Sequence, residues 1–323
     1  MKILLINNTD SGPLAITANH LQQIKNVSDK IEVKLVSTTH QEELDKNLAD
    51  AEIVAGRPAN IPPISSTKNL KWIHSFSAGA DKILTEEVKK SDVIVSNSSG
   101  IHAIPIAEHV LGLMLIFTRK FYDTFRKQQQ KIWQNNQDAT ELRGKTVLVV
   151  GLGHIGEEVA RLVNLLGANV IGIKNNIKDK PDFMSEIYTS DQIDSILPKA
   201  DFTVLCLPLT LATHHLFNLS KFKKMKKSSV IINIGRGELI NEKELIQALE
   251  EKIIAGAGLD VTEEEPLPKE SKLWNMENVV ITPHHSGLSE KYMDRAIDLF
   301  CINLKAYLER KKLPNSVDKD KGY

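Results

Sequence analysis

Gly151-Leu-Gly-His-Ile-Gly156 gives the strongest indication of a fold, because its G-x-G-x-x-G spacing lies between a predicted strand and a predicted helix. Thr146-Val-Leu-Val-Val150 is a continuous apolar run, and Ile155 to Leu166 carries apolar residues at helical spacing. In this context the first glycine permits a tight turn, the second lets the backbone approach a pyrophosphate, and the third lets helix and strand pack closely. The helix N-terminus would offer N–H groups to the phosphates. We therefore predict a dinucleotide-binding unit, with an ordinary glycine-rich turn as the alternative.

The composition is that of an ordinary globular protein without excess charge. Of the 323 residues, 41% are hydrophobic and 25% are charged, and 41 lysines and arginines balance 41 aspartates and glutamates. The length favours two domains. Zero net charge argues against a nucleic-acid or anionic-membrane partner. One local basic run, Lys221 to Lys227, is interpreted as a solvated helix face and turn.

Signals for export, membrane insertion and metal binding are weak. Met1 to Ile6 is too short for a signal-peptide core and predicts a first strand. The longest apolar stretch, Val110 to Phe117, is far below the ~20 residues that span a bilayer. Cys206 and Cys301 make neither a disulfide framework nor a metal cluster. We expect a cytoplasmic protein with no membrane association and no metal site.

Strand-like runs recur along both halves of the chain and alternate with helix-compatible segments. The predicted strands are Lys2–Asn7, Glu32–Val36, Ile53–Ala55, Trp72–Phe76, Val93–Ser96, Thr146–Val150, Asn169–Ile173, Phe202–Leu205, Ser229–Asn233, Ile254–Leu259 and Val279–Ile281. One long helical stretch is predicted from Ile104 to Lys131, and a closing amphipathic helix from Ser289 to Arg310. This alternation predicts an α/β fold with two doubly wound parallel-sheet domains.

The strand after the glycine turn ends in Lys174-Asn175-Asn176, where an acidic residue usually binds the adenosine ribose. The next acidic residue is Asp179. A lysine cannot accept a hydrogen bond from a ribose hydroxyl, but it can pair with a 2′-phosphate. We therefore expect Lys174 to favour NADP(H), with NAD(H) possible if that side chain is only solvated.

Three later motifs each begin at the end of a predicted parallel strand, where ligands bind in open α/β sheets. They are Asn233-Ile-Gly-Arg-Gly237, Gly258-Leu-Asp-Val-Thr-Glu-Glu-Glu-Pro-Leu-Pro268 and Thr282-Pro-His-His-Ser-Gly287. With the glycine turn, and in this order, they resemble the D-isomer-specific 2-hydroxyacid dehydrogenase family of the glyoxylate/hydroxypyruvate or broad 2-oxo acid reductase type. The resemblance covers nearly the whole chain. It implies a flavodoxin-like substrate domain and a Rossmann cofactor domain.

The resemblance also implies which residues carry the chemistry. Reduction of a 2-oxo acid needs a cation for the carboxylate, a proton donor for the carbonyl oxygen and a hydride donor. Arg236 offers a planar fork that matches a carboxylate. His284 falls at the family's proton donor, and Glu265 at the carboxylate that favours its protonated ring. Asp260 would lie by the nicotinamide ring and support the site.

The expected cofactor contacts are spread over the ends of several strands. They are Gly151, Gly153, His154, Ile155, Gly156, Lys174, Asn175, Leu207, Pro208, Thr213, Ile234, Asp260 and His284.

Other histidines and acidic residues lie in or near these motifs and could take the same roles. His285 adjoins the proposed proton donor, but the family pattern selects the histidine directly after Thr-Pro. Glu263 and Glu264 are interpreted as solvated loop acids. His214-His215 lacks a carboxylate or cysteine at metal-ligand spacing and is assigned to the surface or the rim of the cofactor pocket. Arg236 could be a structural arginine, although its flanking glycines would leave the backbone open to a ligand.

The first half of the chain is expected to supply the other wall of the substrate cleft. Ser75-Phe-Ser-Ala-Gly-Ala-Asp81 follows a predicted strand and resembles the family's turn whose backbone N–H groups bind the substrate carboxylate. That role falls on Ala78 and Gly79, within a turn Ser77-Ala-Gly79 that would bind the carboxylate together with Arg236, and a plain strand-ending turn is the alternative. Arg57 in the preceding loop could recognise a polar or anionic substrate group or could be solvated.

Residues 102–131 resemble the long helical arm through which family members form homodimers, so a homodimer is expected. Glu108 and His109 in this arm are interpreted as structural. Trp133, near the end of the arm, would reach the partner's substrate cleft by comparison with related reductases. Packing in the core or in the interface is the alternative for this tryptophan.

The family architecture implies a discontinuous substrate domain, residues 1–99 and 286–323, and an NAD(P)-binding domain, residues 100–285. The implied function is NAD(P)H-dependent reduction of a 2-oxo acid to a D-2-hydroxy acid. A cofactor-sensing, corepressor-like scaffold and a formate- or phosphonate-type dehydrogenase are the alternatives on the same fold. The residues do not separate glyoxylate or hydroxypyruvate from bulkier 2-oxo acids.

Overall fold

The chain forms two compact units in the computed structural model, which describes residues 1–7, 9–80, 82–177 and 180–322. One unit combines Met1–His102 with Leu288–Tyr323, and the other is Ala103–Gly287. Asp81, at the end of the predicted carboxylate-binding turn, lies outside the described residues. So does Asp179, the acid nearest to the predicted ribose-binding position.

The secondary structure alternates between strands and helices along the described residues. The strands are β1 (Lys2–Asn7), β2 (Glu32–Ser37), β3 (Ile53–Gly56), β4 (Trp72–Ser75), β5 (Ile94–Ser96), β6 (Thr146–Val150), β7 (Asn169–Ile173), β8 (Glu186–Tyr188), β9 (Phe202–Leu205), β10 (Val230–Asn233), β11 (Gly256–Leu259) and β12 (Val279–Ile281). The α-helices are α1 (Ala18–Lys25), α2 (Gln41–Leu48), α3 (Glu86–Lys90), α4 (Ala103–Thr118), α5 (Phe121–Gln129), α6 (His154–Leu165), α7 (Ile193–Ile196), α8 (Leu219–Phe222), α9 (Glu242–Glu250) and α10 (Tyr292–Leu308).

Each unit is built on one parallel sheet. In the first unit the strand order is β2-β1-β3-β4-β5, which is the flavodoxin-like order. In the second unit it is β12-β11-β10-β9-β6-β7-β8. Counted from β6, the second sheet has the Rossmann order 3-2-1-4-5-6 with one more strand, β12, at the edge. The predicted fold class, two doubly wound parallel sheets, is confirmed.

The core of the first unit is centred on Trp72. Its ring stacks on Phe300 and on Tyr307 of α10, with centroids 5.3 Å away in each case. Trp72, Phe76 and Phe300 are fully buried together with Ile3 and other residues of the sheet. Because large aromatic pairs contribute area and preferred geometry together, this cluster fixes the closing helix α10 on the sheet formed by the first hundred residues.

A buried hydrogen-bond chain fastens the ends of β4 and β5 to each other. Trp72 Nε1 donates to Ser96 Oγ at 2.7 Å, and Ser96 Oγ lies 2.7 Å from His74 Nδ1. On the other side of the ring, His74 Nε2 lies 3.3 Å from Ser98 Oγ, which donates to the Ser75 oxygen at 2.9 Å. All these groups are satisfied when His74 is neutral with its proton on Nε2. The turn that starts at Ser75 therefore leaves from a rigid strand end.

In the second unit, both faces of β6 are covered by other parts of the unit. Val147, Leu148, Val149 and Val150 are fully buried, as expected for a central parallel strand covered by helices on both sides. On one face, α4 contacts α6 and shares an apolar cluster with the sheet. The strand that carries the glycine turn is therefore enclosed on both faces.

The predicted single helix from Ile104 to Lys131 is wrong, because the structure divides this stretch into α4 and α5. Lys120 has a φ of 56°, a left-handed conformation that ends the first helix. The side chain of Asn136 stabilises the break by donating to the Lys120 oxygen at 3.3 Å and to Thr124 Oγ1 at 2.9 Å. No glycine or proline marks this position in the sequence, so a local pattern could not indicate it.

The short strand β8 was also not predicted. It has three residues, lies at the edge of its sheet and is only partly buried. A run this short has no apolar alternation that could distinguish it from a loop. The predicted strands agree with the structure to within two residues at each end.

The basic run from Lys221 to Lys227 is a short helix and turn, as predicted, but several of its lysines are ion-paired rather than simply solvated. Lys221 and Lys224 both pair with Asp194, and Lys226 pairs with Asp201 at 2.8 Å. The neighbouring acids therefore reduce the positive field of this run.

The described residues include ten α-helices and two cysteines. Within them, none of the helices combines the length and apolar character required to cross a membrane. Cys206 and Cys301 are both free thiols. Burial raises the pKa of Cys206 to about 12 and that of Cys301 to about 11, so neither is an activated nucleophile.

The buried His74 ring is expected to make stability depend on pH. Burial lowers the pKa of His74 from 6.5 to about 3, so at pH 5 the unfolded chain binds a proton that the folded protein does not. Protonation of His74 in the unfolded chain therefore favours unfolding as the pH falls below 6.5, the ordinary pKa of histidine. Between pH 6 and 4, we expect the free energy of unfolding to fall more steeply in the wild type than in His74→Gln, by about 1.4 kcal/mol per pH unit. Urea titrations at several pH values measure both slopes, and equal slopes would contradict the prediction.

Candidate active site

The glycine turn from Gly151 to Gly156 joins β6 to α6 and leaves no room for two side chains. Gly151 has a φ of 101°, and a Cβ there would lie 2.8 Å from the Cys206 oxygen. A Cβ on Gly156 would lie 1.9 Å from the Gly151 oxygen. A Cβ on Gly153, by contrast, would meet nothing within 4 Å. The turn is therefore closed towards the protein and open at its middle glycine, the position at which a pyrophosphate would approach.

The N-terminus of α6 follows directly from this open glycine. Gly153 is its N-cap, and no side chain among the described residues caps the helix there. His154 and Ile155 form the start of the first turn. The first N–H groups of the helix therefore remain for a negatively charged ligand, together with the positive end of the helix dipole.

The other predicted cofactor residues lie at the carboxyl edge of the same sheet. Because β6 pairs with β7 and β9, and β9 with β10, the segments after these strands are neighbours. The residues in question are Lys174, Asn175, Leu207, Pro208 and Ile234. Thr213 shapes the segment after β9, since its hydroxyl donates to the Pro208 oxygen at 2.7 Å. This edge, with the open glycine beside it, fits an extended dinucleotide.

Lys174 is ion-paired, a feature that the sequence did not indicate. Its Nζ donates to Glu157 Oε1 at 3.0 Å, and Glu157 lies in the first turn of α6. Asn175 is also engaged, because its side-chain oxygen accepts from the Ser190 N–H at 3.4 Å. The structure therefore places an acid close to the predicted ribose position, although it comes from α6 instead of the end of β7.

Arg236 lies in a turn that Asn233 stabilises at the end of β10. The Asn233 side chain donates to the Arg236 oxygen at 2.8 Å and accepts from the Gly235 N–H at 3.1 Å. The flanking glycines do not leave the backbone open, contrary to the prediction. A Cβ on Gly237 would lie 2.0 Å from the backbone of Thr262, so glycine there lets this turn pack against the loop after β11. Asn233 was missed, although an asparagine at a strand end often starts such a turn.

His284 and Glu265 form a close polar pair. His284 Nδ1 lies 2.7 Å from Glu265 Oε2. The other carboxylate oxygen accepts from the Thr262 N–H at 3.4 Å. Because a carboxylate only accepts hydrogen bonds, Nδ1 carries the proton of this bond. Nε2, on the far side of the ring, is then the nitrogen that can exchange a proton with a ligand.

Asp260 holds the segment that carries His284. Its buried carboxylate accepts from the Thr282 hydroxyl at 2.7 Å and from the His285 and Ser286 N–H groups at 3.1 Å. Its carbonyl oxygen accepts from the His284 N–H at 2.8 Å. Burial by itself would raise the pKa of Asp260, but the hydrogen bonds hold it below its ordinary value. His284 has a φ of 50°, uncommon for a histidine, and these bonds stabilise that backbone.

His109 on α4 extends the Asp260 network. Its Nε2 lies 3.0 Å from Thr282 Oγ1, and its ring meets His285 edge-on with centroids 5.4 Å apart. Burial lowers the pKa of His109, with Asp260 acting in the opposite direction. His109, Asp260 and His285 bring possible metal ligands within 4.8 Å of one another. His109 and Asp260 both form hydrogen bonds with the Thr282 hydroxyl, so this group helps to position the segment that carries His284.

The interpretation of Glu263 as a solvated acid is wrong. Its Oε1 lies 2.7 Å from His215 Nε2 and accepts from the Glu242 N–H at 3.2 Å. The rings of His214 and His215 stack with centroids 3.9 Å apart. This contact links the segment after β9 to the loop that carries Glu265. Glu264 is exposed, as predicted.

The turn from Ser75 to Gly79 in the first unit has two available donors. The Ser77 N–H is used within the turn, where it donates to Ser75 Oγ at 3.1 Å. The Ala78 oxygen accepts from Asn97 Nδ2 at 2.7 Å, which fixes the orientation of the turn. Among the described residues, the N–H groups of Ala78 and Gly79 have no hydrogen-bond acceptor. A carboxylate could therefore bind to these two N–H groups, but not to that of Ser77.

The comparison with known proteins agrees with this geometry. The family model for the D-isomer specific 2-hydroxyacid dehydrogenase NAD binding domain matches residues 111–286. The chain belongs to the D-isomer specific 2-hydroxyacid dehydrogenase family. A crystal structure of a protein of this family from Aeromonas salmonicida subsp. salmonicida matches with a TM-score of 0.86 and 30% identity over 99% of both chains. The predicted family is thus confirmed, and the chain is an oxidoreductase that binds a nicotinamide cofactor.

Two relatives in the family carry named activities. A glyoxylate reductase of Thermofilum pendens is 32% identical over 278 residues, which cover 84% of this chain and 78% of that protein. A D-3-phosphoglycerate dehydrogenase of Methanocaldococcus jannaschii is 32% identical over 303 residues, or 93% of this chain. This chain spans only 58% of the length of the latter protein.

Gly153 and Gly156 provide a matched test of the cofactor turn. In Gly156→Ala the new methyl group would collide with the Gly151 oxygen, so we expect a loss of about 3 kcal/mol in the free energy of unfolding. In Gly153→Ala the methyl group has space, so we expect unchanged stability but weaker binding of NAD⁺ and NADP⁺. Thermal unfolding without cofactor and isothermal titration calorimetry measure the two effects. Full cofactor binding by Gly153→Ala would contradict the assignment.

Proposed function

We propose that this chain reduces a 2-oxo acid to a D-2-hydroxy acid, with NADPH favoured over NADH as the hydride donor. The observation that carries the proposal is the His284–Glu265 pair at 2.7 Å, at the same sheet edge as the glycine turn and Arg236. Binding alone needs no hydrogen-bonded acid and base. The named activity of the glyoxylate reductase from Thermofilum pendens supports the same reaction class.

The proton in this reaction comes from His284. Glu265 fixes the ring through Nδ1, so Nε2 protonates the carbonyl oxygen as C2 is reduced. Asp260 contributes by holding the backbone of residues 284–286 in one conformation. The roles of these residues are thus separate: one donates the proton, one orients the donor, and one fixes the segment.

The substrate carboxylate is assigned to Arg236 and to the turn at Ser77, Ala78 and Gly79. The guanidinium group matches a carboxylate in shape and charge. Ala78 and Gly79 contribute backbone N–H groups, whereas Ser77 helps to shape their turn. Arg57 Nε and Asn60 Nδ2, in the loop after β3, are buried without a hydrogen-bond partner among the described residues. Because such donors suit a small polar substrate, glyoxylate and hydroxypyruvate are the first substrates to test.

The same proposal includes a preference for NADPH and a location in the cytoplasm. Lys174 supports NADPH, because it provides a cation where an acid would bind the ribose of NADH. We place the protein in the cytoplasm, in keeping with two separate free thiols, and assign it neither a nucleic-acid partner nor a metal.

The reaction is tested by an assay of NADPH and NADH oxidation with glyoxylate, hydroxypyruvate, pyruvate and phenylpyruvate. We expect turnover with at least one of them and a loss in kcat of about 10²- to 10⁴-fold in His284→Asn. Glu265→Gln is expected to lose less, because its amide can still orient the ring. The control is His40→Asn, which removes an exposed histidine at the start of α2 in the first unit and should retain activity.

Two outcomes would point to the alternatives on the same fold. Intact cofactor binding without turnover of any 2-oxo acid would favour a cofactor-sensing, corepressor-like scaffold. Reduction of NAD⁺ or NADP⁺ with formate or phosphite would favour a formate- or phosphonate-type dehydrogenase. Full activity of His284→Asn would contradict its role as proton donor.

We also propose a homodimer formed through residues 102–131. Two exposed aromatic side chains of α5, Phe121 and Phe125, lie with ring centroids 6.1 Å apart, and Ile104 of α4 is exposed as well. Trp133, fully exposed just beyond α5, is assigned to the same interface, either as packing or as a residue that reaches the partner's substrate cleft. Clustered exposed aromatic residues are typical of interface cores.

The dimer is tested by light scattering coupled to size exclusion. We expect the wild type at twice the 36.1 kDa chain mass and Phe125→Glu shifted to monomer, because a charge in the interface core costs several kcal/mol. Ile302→Glu is the control, since Ile302 is also an exposed apolar residue but lies on α10. A dimeric Phe125→Glu would exclude this interface, and a monomeric wild type would exclude the dimer.

A further inference from the structure

We infer that Glu157 determines cofactor preference by competing with the 2′-phosphate of NADPH for Lys174. The inference rests on the proposed function in one respect, namely that Lys174 faces the adenosine ribose. Beyond that function, Glu157 weakens the preference for NADPH and favours NADH.

The geometry places the two side chains on the two elements that frame a dinucleotide. Lys174 directly follows β7, and its N–H donates to the Tyr188 oxygen at 2.9 Å, which fixes its backbone. Glu157 lies in the first turn of α6, four residues after the open Gly153. The two side chains meet at 3.0 Å between Lys174 Nζ and Glu157 Oε1.

The pair is exposed enough to be exchanged for a ligand. The Lys174 side chain is 36% exposed and that of Glu157 is 44% exposed. An ion pair of this kind contributes little stability, about 0.2–1 kcal/mol. A phosphate group can therefore displace the carboxylate from the lysine at low cost, but it must then stay close to a displaced negative charge.

The same carboxylate has the opposite effect on NADH. A ribose 2′-hydroxyl is a hydrogen-bond donor, and the acid that normally accepts from it at the end of this strand is absent. Glu157 can accept that bond without leaving Lys174, because its two oxygens have about four acceptor positions. Lys174 thus favours NADPH binding and Glu157 favours NADH binding. Their ion pair reduces the difference between the affinities for the two cofactors.

The test is a double-mutant cycle on the full chain, with Kd measured for NADP⁺ and NAD⁺ by isothermal titration calorimetry. We expect Glu157→Gln to tighten NADP⁺ binding by about 1.4-fold to fivefold, the range that an exposed ion pair of about 0.2–1 kcal/mol corresponds to. NAD⁺ binding should stay equal or weaken. In Lys174→Met the same Glu157→Gln change should tighten NADP⁺ binding less, because no cation is released and only the repulsion between the carboxylate and the phosphate is removed.

Glu158→Gln is the matched control. Glu158 is the next residue on α6 and pairs with Arg161 at 2.6 Å instead of with Lys174, so its removal should not change the ratio of the two Kd values. An unchanged ratio in Glu157→Gln would overturn the inference, and so would a tightening that is equally large in Lys174→Met.

The cycle also separates this inference from the proposed function. If Lys174→Met lowers NADP⁺ affinity but Glu157→Gln has no effect, only the role of Glu157 fails. If Lys174→Met leaves the ratio unchanged, the assignment of Lys174 to the 2′-phosphate fails, and the role of Glu157 fails with it.

Discussion

The carboxylate of Asp260 is buried at the end of β11, and three donors converge on it: the Thr282 hydroxyl and the N–H groups of His285 and Ser286. A buried carboxylate without such partners would cost several kcal/mol, so the chain after β12 has to wrap around it. This wrapping places His284 in a left-handed conformation and its ring within hydrogen-bond distance of Glu265. The position of the His284 ring is therefore a consequence of satisfying one buried charge.

The glycines apply a second constraint to the same sheet edge. Gly151 and Gly156 allow β6 and α6 to approach so closely that the backbone of one glycine occupies the space of the other's side chain. Gly237 does the same between the arginine turn and the loop after β11. Close backbone contact therefore brings the cofactor turn, Arg236 and the Glu265 loop to one edge, and it excludes larger residues for steric reasons, independently of any ligand.

The sequence predicted the features that depend on local patterns. Continuous apolar runs such as Val147 to Val150 predicted nearly every strand. The family resemblance of the motifs at strand ends predicted that Arg236, Glu265 and His284 belong to one site, and the structure shows the contact between His284 and Glu265. The missed features depend on contacts between distant residues. Lys174 and Glu157 are 17 residues apart, and His109 and Thr282 are 173 apart. The break at Lys120 likewise depends on Asn136, 16 residues further along the chain.

Three carboxylates at this sheet edge differ in burial, and the burial of each one limits the role that it can have. Asp260 is enclosed and bound by backbone donors, so its charge is fixed and serves to hold a loop. Glu265 is partly exposed and is hydrogen-bonded to the His284 ring, so it can orient that ring. Glu157 is the most exposed of the three, and its partner is a flexible lysine. It is therefore the carboxylate that a ligand can replace, which makes cofactor preference the property of this site that one substitution can change at the lowest cost to the fold.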